Sequence, residues 1–157
     1  MTNSNEKKDA IDLLKADHRA AESLFDRYAK TEGNEKKREI AREACAALLI
    51  HMEIEEAIFY PAARRATGDE GLLDEAESEH AGARDIIAKL EHLQHEQGPF
   101  DTLVKQLQAE IEHHVDEEEK ELFPKVRETK LDLAAIGDAL LEMKNHLLKM
   151  HAMPAEA

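Results

Sequence analysis

The segment His51-Met52-Glu53-Ile54-Glu55-Glu56-Ala57-Ile58-Phe59-Tyr60-Pro61 has a second copy, His114-Val115-Asp116-Glu117-Glu118-Glu119-Lys120-Glu121-Leu122-Phe123-Pro124, at an offset of 63. Both follow the spacing His-x3-Glu-Glu-x4-Pro, and both carry an Arg three residues past the Pro, at Arg64 and Arg127. An imidazole and a carboxylate four residues apart stand one turn apart on the same helix face. That pair can grip a metal ion, and two such grips in a repeated unit predict a two-metal site.

The rest of the chain suits a helical setting. At 157 residues, one domain with a sizeable core is expected. Helix formers dominate, only six Gly and four Pro interrupt them, and no stretch alternates as strands do. With 4% aromatics, the core must be mostly Leu, Ile and Ala. A formal charge of −14 argues against nucleic-acid backbones and anionic membranes as partners. The single Cys45 excludes an intrachain disulfide and any Cys-rich zinc or iron–sulfur site. The polar start, Met1 to Asp9, predicts no signal peptide, and no apolar run reaches membrane-spanning length, so a cytoplasmic location is expected.

Turn-forming residues divide the chain into helices near 8–31, 35–65, 70–96, 100–128 and 132–150. Gly33-Asn34 closes the first pattern. Gly68 is placed as a C′ glycine and Asp69 as the N-cap of the next helix. Gly98-Pro99 separates the third and fourth patterns. Pro61 and Pro124 fall late in their helices, where each removes a backbone hydrogen bond and predicts a kink or an early end.

In each of the first four helices a ligand-type residue interrupts an apolar stripe that should face the core. Helix one runs Ile11, Leu14, His18, Ala21, Phe25; helix two runs Ala44, Leu48, His51, Glu55, Ile58. Helix three runs Leu73, Ala76, His80, Ala83, Ile87; helix four runs Leu107, Ile111, His114, Glu118, Leu122. Helices one and three also match at an offset of 62, Asp17-His18 with Glu79-His80. The chain therefore predicts an all-α fold, an antiparallel four-helix bundle built from a duplicated hairpin, over residues 8–128. An isolated buried carboxylate costs several kcal/mol even after relaxation. A pair of cations among four imidazoles and two carboxylates offsets that cost better than hydrogen bonding within the group. This ligand set suits iron, manganese or zinc and fits calcium or magnesium poorly.

The pattern His18…His51-x3-Glu55…His80…His114-x3-Glu118, with its repeated Phe/Tyr-Pro ending, resembles the hemerythrin-like (HHE cation-binding) family over roughly residues 10–128. The resemblance implies a non-haem centre of two iron ions, bridged by two carboxylates and an oxo or hydroxo group. It implies reactivity towards dioxygen, peroxide or nitric oxide. By position, His18, His51, His80 and His114 are the implied terminal ligands, and Glu55 and Glu118 the bridging ones. One position departs: the fifth His of oxygen-carrying hemerythrins, one turn after the third-helix His, is Arg84 here. Glu77, Glu22 or a water are the candidates to replace it. The departure shifts weight from reversible oxygen transport towards sensing, peroxide breakdown or iron handling.

Three functions follow: a di-iron protein that binds or senses dioxygen or a related molecule, an enzyme that decomposes peroxide or oxidises ferrous iron, and a zinc-stabilised partner-binding bundle. Glu56 and Glu119 suit either contacts to a ligand imidazole or salt bridges to surface Lys or Arg. Tyr28 reads as core, and Tyr60 is left open. Residues 132–150 form an accessory helix whose stripe, Leu133, Ile136, Leu140, Met143, Leu147 and Met150, must cover the bundle or join a second subunit as a homodimer.

Overall fold

The structure is a computed structural model. It describes residues 8–93 and 96–152, so the expectations for the chain start and for helix three beyond Leu93 fall partly outside the described residues. The described residues are almost wholly helical, with no strand among them. Five rods follow one another: α1 (Ala10–Lys30), α2 (Asn34–Ile54) continued by α3 (Tyr60–Thr67), α4 (Glu70–His92), α5 (Gln97–Glu117) continued by α6 (Phe123–Arg127), and α7 (Leu133–Ala152). The first four rods form the bundle, with α1 against α2 and α4 against α5, and α7 lies against α1 and α2.

The punctuation behaves as its chemistry dictates. Asp9 caps α1 in a capping box, its side chain accepting from the Asp12 N–H at 2.8 Å. Gly68 ends α3 at φ 71, in the left-handed region that favours glycine, and Asp69 then caps α4 by accepting from the Leu72 N–H. Gly98 and Pro99 do not separate helices. They lie in the first turn of α5, which begins at Gln97, where an N–H has no helical partner to lose.

The two late prolines interrupt the helical ladder without ending it. Neither rod ends early. Each instead widens into one π-turn, Glu55–Phe59 and Glu118–Leu122, immediately before the proline-containing helix. Each π-turn begins at a predicted ligand glutamate and closes with an i→i+5 bond, from Tyr60 N–H to the Glu55 carbonyl and from Phe123 N–H to the Glu118 carbonyl. A proline at position 61 or 124 cannot donate to the carbonyl four residues back, so the ladder is already broken there.

The core divides in two. One cluster runs from Ala21 to Tyr28, through Leu48, Ile87 and Leu107 to Val115. The other gathers Leu14, Ile54, Phe59, Tyr60, Leu73 and Phe123. Along α1 and α4 the buried stripe passes from one cluster to the other at His18 and His80. The only buried polar side chains among the described residues are His18, His51, Glu55, His80, His114 and Glu118, the predicted six. From α7, Leu140 and Leu147 are buried, and Leu133, Ile136 and Met143 pack partly against the second cluster. Met150, assigned to that stripe by its spacing, is 57% exposed.

Candidate metal centre

Each glutamate spans two histidines. Glu55 Oε2 lies 3.3 Å from His51 Nε2, and its Oε1 lies 3.0 Å from His80 Nε2. Glu118 Oε1 lies 3.1 Å from His18 Nε2, and its Oε2 lies 3.5 Å from His114 Nε2. Eight atoms thus form two groups of four, one with the imidazoles of α1 and α2, the other with those of α4 and α5. Both glutamates serve both groups.

A ring of carboxylates behind the histidines sets which nitrogen faces inward. His51 Nδ1 meets Asp17 at 2.9 Å, His80 Nδ1 meets Glu56 at 2.6 Å, His114 Nδ1 meets Glu79 at 2.7 Å, and His18 Nδ1 meets Glu119 at 2.6 Å. The residue before each inward His of α1 and α4 holds the next inward histidine along the chain. The residue after each inward Glu holds the histidine of the rod that follows, with Glu119 closing the ring back to α1. A carboxylate can only accept, so each Nδ1 carries a proton and each imidazole turns its Nε2 inward, where a neutral ring offers a lone pair to an ion.

The first group then brings four inward atoms together. His18 Nε2, His51 Nε2, Glu55 Oε2 and Glu118 Oε1 are fully buried and have no hydrogen-bond partner. They can all lie around one ion, as can Glu55, His80 and His114 in the second group. Burying unpartnered acceptors of this kind is costly, and a cation at their centre removes the cost. The donor set and the orphaned atoms therefore fit a metal ion.

The second group surrounds a hydroxyl. Tyr60 Oη donates to Glu118 Oε2 at 2.6 Å and lies 3.1 Å from Glu55 Oε1, with His80 Nε2 and His114 Nε2 each at 3.2 Å. In a regular helix, five residues turn through about 500°, which leaves Tyr60 about 140° from the Glu55 face. The π-turn brings it back onto that face. The matching residue of the other copy, Phe123, has no hydroxyl and stacks on His18 at 5.9 Å between ring centroids. The duplication is thus broken at this pair, leaving a phenol on one side of the centre and a phenyl ring on the other.

Without an ion, the carboxylates of the centre draw a proton onto His51. Burial opposes a charged imidazole at His51, but the Glu55 and Asp17 carboxylates outweigh it and raise its pKa to about 10. Burial likewise opposes ionisation of Glu118, yet His114 and His18 hold its carboxyl well below the usual range. Burial and the two carboxylates push the Tyr60 hydroxyl well above its ordinary value, so it remains a donor.

The substitutes considered for the missing fifth histidine are not in the centre. Glu77 and Glu22 are about half exposed and pair with Arg64 and Arg19. Arg84, at the departing position, forks onto Glu56 with bonds of 2.8 and 3.1 Å. Glu56 and Glu119 combine both roles weighed for them, each holding a ligand-type imidazole and an arginine. The site residue that sequence reasoning left open is Tyr60, and its signal was the proline directly after it. Tyr28 bonds Asp101 at 2.5 Å within the first core cluster, away from the centre.

Fold and site together define a helical-bundle protein with a buried His/carboxylate centre of metal-binding type. A sequence profile of the hemerythrin HHE cation-binding domain matches residues 9–126, and the chain belongs to that family. The chain is similar in fold to the crystal structure of a hemerythrin HHE cation-binding domain-containing protein from Mycobacterium kansasii. The TM-score is 0.78 at 23% identity, covering 91% of this chain and 89% of that one. It is 26% identical over 129 residues to a protein of Nostoc sp. described as a DNA nickase, covering 81% of this chain. The match spans 36% of that relative's length, about a third. Among the described residues, no helix is long and apolar enough to cross a membrane.

Proposed function

We propose that the protein holds two iron ions in this centre and binds or senses dioxygen or a related small molecule such as nitric oxide or peroxide. The observation that carries the reading is the set of four orphaned inward atoms beside a second group built from the other faces of the same two glutamates. His18 and His51 would hold one ion, His80 and His114 the other, and Glu55 and Glu118 would bridge them. Such a pair supplies reversible electron exchange and open coordination positions. The chain's own residues supply the rest. The four outer carboxylates orient the imidazoles and raise their basicity, and Tyr60 offers a hydroxyl proton inside the second group.

A cavity of about 110 Å³ reaches all four histidines, walled mainly by Ala21, Ala47, Leu48, Ala83, Ile111 and Val115. Its lining suits a small, weakly polar ligand. The Tyr60 hydroxyl favours a second reading, peroxide decomposition, which needs a proton donor near the reacting oxygen. DNA nicking has no electrostatic support here, because a chain of charge −14 repels a phosphate backbone. A cytoplasmic location remains part of the proposal.

The test is optical. Iron-loaded protein, reduced without air and then exposed to dioxygen or nitric oxide, should change its visible spectrum. Peroxide then separates the two readings: sustained oxygen evolution means turnover, and its absence means binding. Tight zinc binding without any redox response would overturn both.

A further inference from the structure

Each of the four outer carboxylates has a further side-chain partner. Glu119 pairs with Arg19 at 2.5 Å, Glu56 with Arg84 at 2.8 Å, and Glu79 with His113 at 3.4 Å. Asp17 pairs with Lys144 Nζ, at 2.5 Å from Oδ1, while its other oxygen holds His51 Nδ1 at 2.9 Å. Three of these partners stand on bundle helices. The fourth stands on α7, outside the duplicated hairpins that supply the six inward residues.

The contact is a built one. The Asp17 side chain is 12% exposed and that of Lys144 29%, so the pair is sheltered from the screening that weakens surface ion pairs. Lys144 and Leu148, one turn apart on α7, also line the cavity beside the histidines. The lysine stem covers apolar wall while its ammonium reaches Asp17. The seat of α7 on α1 is tight: a Cβ on Gly137 would stand 2.9 Å from the backbone of Lys8, Asp9 and Ala10.

We propose that Lys144 is a positioning residue of the metal centre. It clamps Asp17 and so fixes the Nδ1 proton and the ring orientation of His51, which makes α7 a working part of the site. The proposal rests on the metal-binding reading, since His51 is positioned for an ion. A partner that orients a ligand typically changes metal affinity by 10- to 100-fold, and one step further out the low end, roughly tenfold, is expected.

The test compares three variants of the full chain. Lys144→Met keeps the stem and removes the charge, Lys144→Arg keeps the charge, and Lys149→Met removes an exposed charge elsewhere on the same helix. Two readouts are taken: the rate of metal loss to excess chelator, and, in metal-free protein, the exchange rate of the His51 Nδ1–H resonance by NMR. Lys144→Met should release metal roughly tenfold faster and exchange that proton faster. Lys149→Met should match wild type, and Lys144→Arg should return both readouts towards it. Equal behaviour of Lys144→Met and Lys149→Met overturns the proposal, as does loss of stability with both readouts unmoved, which would make Lys144 only a brace for α7. Failure of Lys144→Arg to restore either readout overturns it too. If wild type retains no metal while the His51 proton still responds to Lys144, the metal-binding reading falls and the clamp stands.

Discussion

Tyr60 carries the sharpest residue-scale consequence. Its hydroxyl is surrounded by the four atoms of the second group, so Tyr60→Phe leaves a buried carboxylate without its donor. An unsatisfied buried acceptor costs about 1–3 kcal/mol. The metal-free variant should lose stability of that order in urea, and the metal-loaded variant should lose less. Equal losses would place Tyr60 in the core rather than in the centre. The acid–base behaviour of His51 gives a second consequence. Its folded-state pKa, about 10, lies above the ordinary 6.5. The stability it adds is complete below about pH 6.5 and is lost as pH rises through about 10. Glu118 works in the opposite sense: its pKa is held well below 4.5, so its contribution is present above about 4.5 and is lost on acidification. The urea midpoint of metal-free protein should therefore fall between pH 7 and pH 10. Metal should abolish that alkaline loss, because a ligand imidazole is already neutral, and loading at pH 7 should release protons. A flat metal-free profile would contradict this. The six inward residues were legible because duplication repeats them at helical spacing. The role of Tyr60 was not, because a 3.6-residue period places it on another face.

At the scale of elements, the π-turns and the seat of α7 matter most. The prolines signalled a broken ladder, but local rules cannot say whether a broken ladder kinks, stops or widens. That outcome depends on Glu55 and Phe59, and on Glu118 and Leu122, being buried at once. The capping roles of Gly68 and Asp69 were readable because a left-handed turn and a side-chain cap are local events. The apolar stripe of α7 was readable too, but its position against α1 and α2 was not, since a stripe does not name its partner. Gly137 fixes that position. Gly137→Ala should force α7 off the first turn of α1 and destabilise the protein by about 1–3 kcal/mol, read as a lower urea midpoint. An unchanged midpoint would mean that α7 tolerates displacement.

For the whole molecule, the centre lies between two hydrophobic clusters and draws one inward side chain or more from each of the four bundle rods. Holding the six groups together therefore holds the bundle together. Binding to the folded state alone stabilises by about 2.7 kcal/mol when free metal is a hundredfold above its Kd. Unfolding should accordingly depend on metal concentration, and chelation should lower the urea midpoint without dissolving the helices. The measurement that reaches the central claim most directly is native mass spectrometry of iron-loaded wild type beside Glu55→Ala and Glu118→Ala. The account predicts two iron ions per chain in wild type and loss from both groups in either variant, because each glutamate serves both. A wild type that takes up no iron, or variants that keep the full complement, would contradict it.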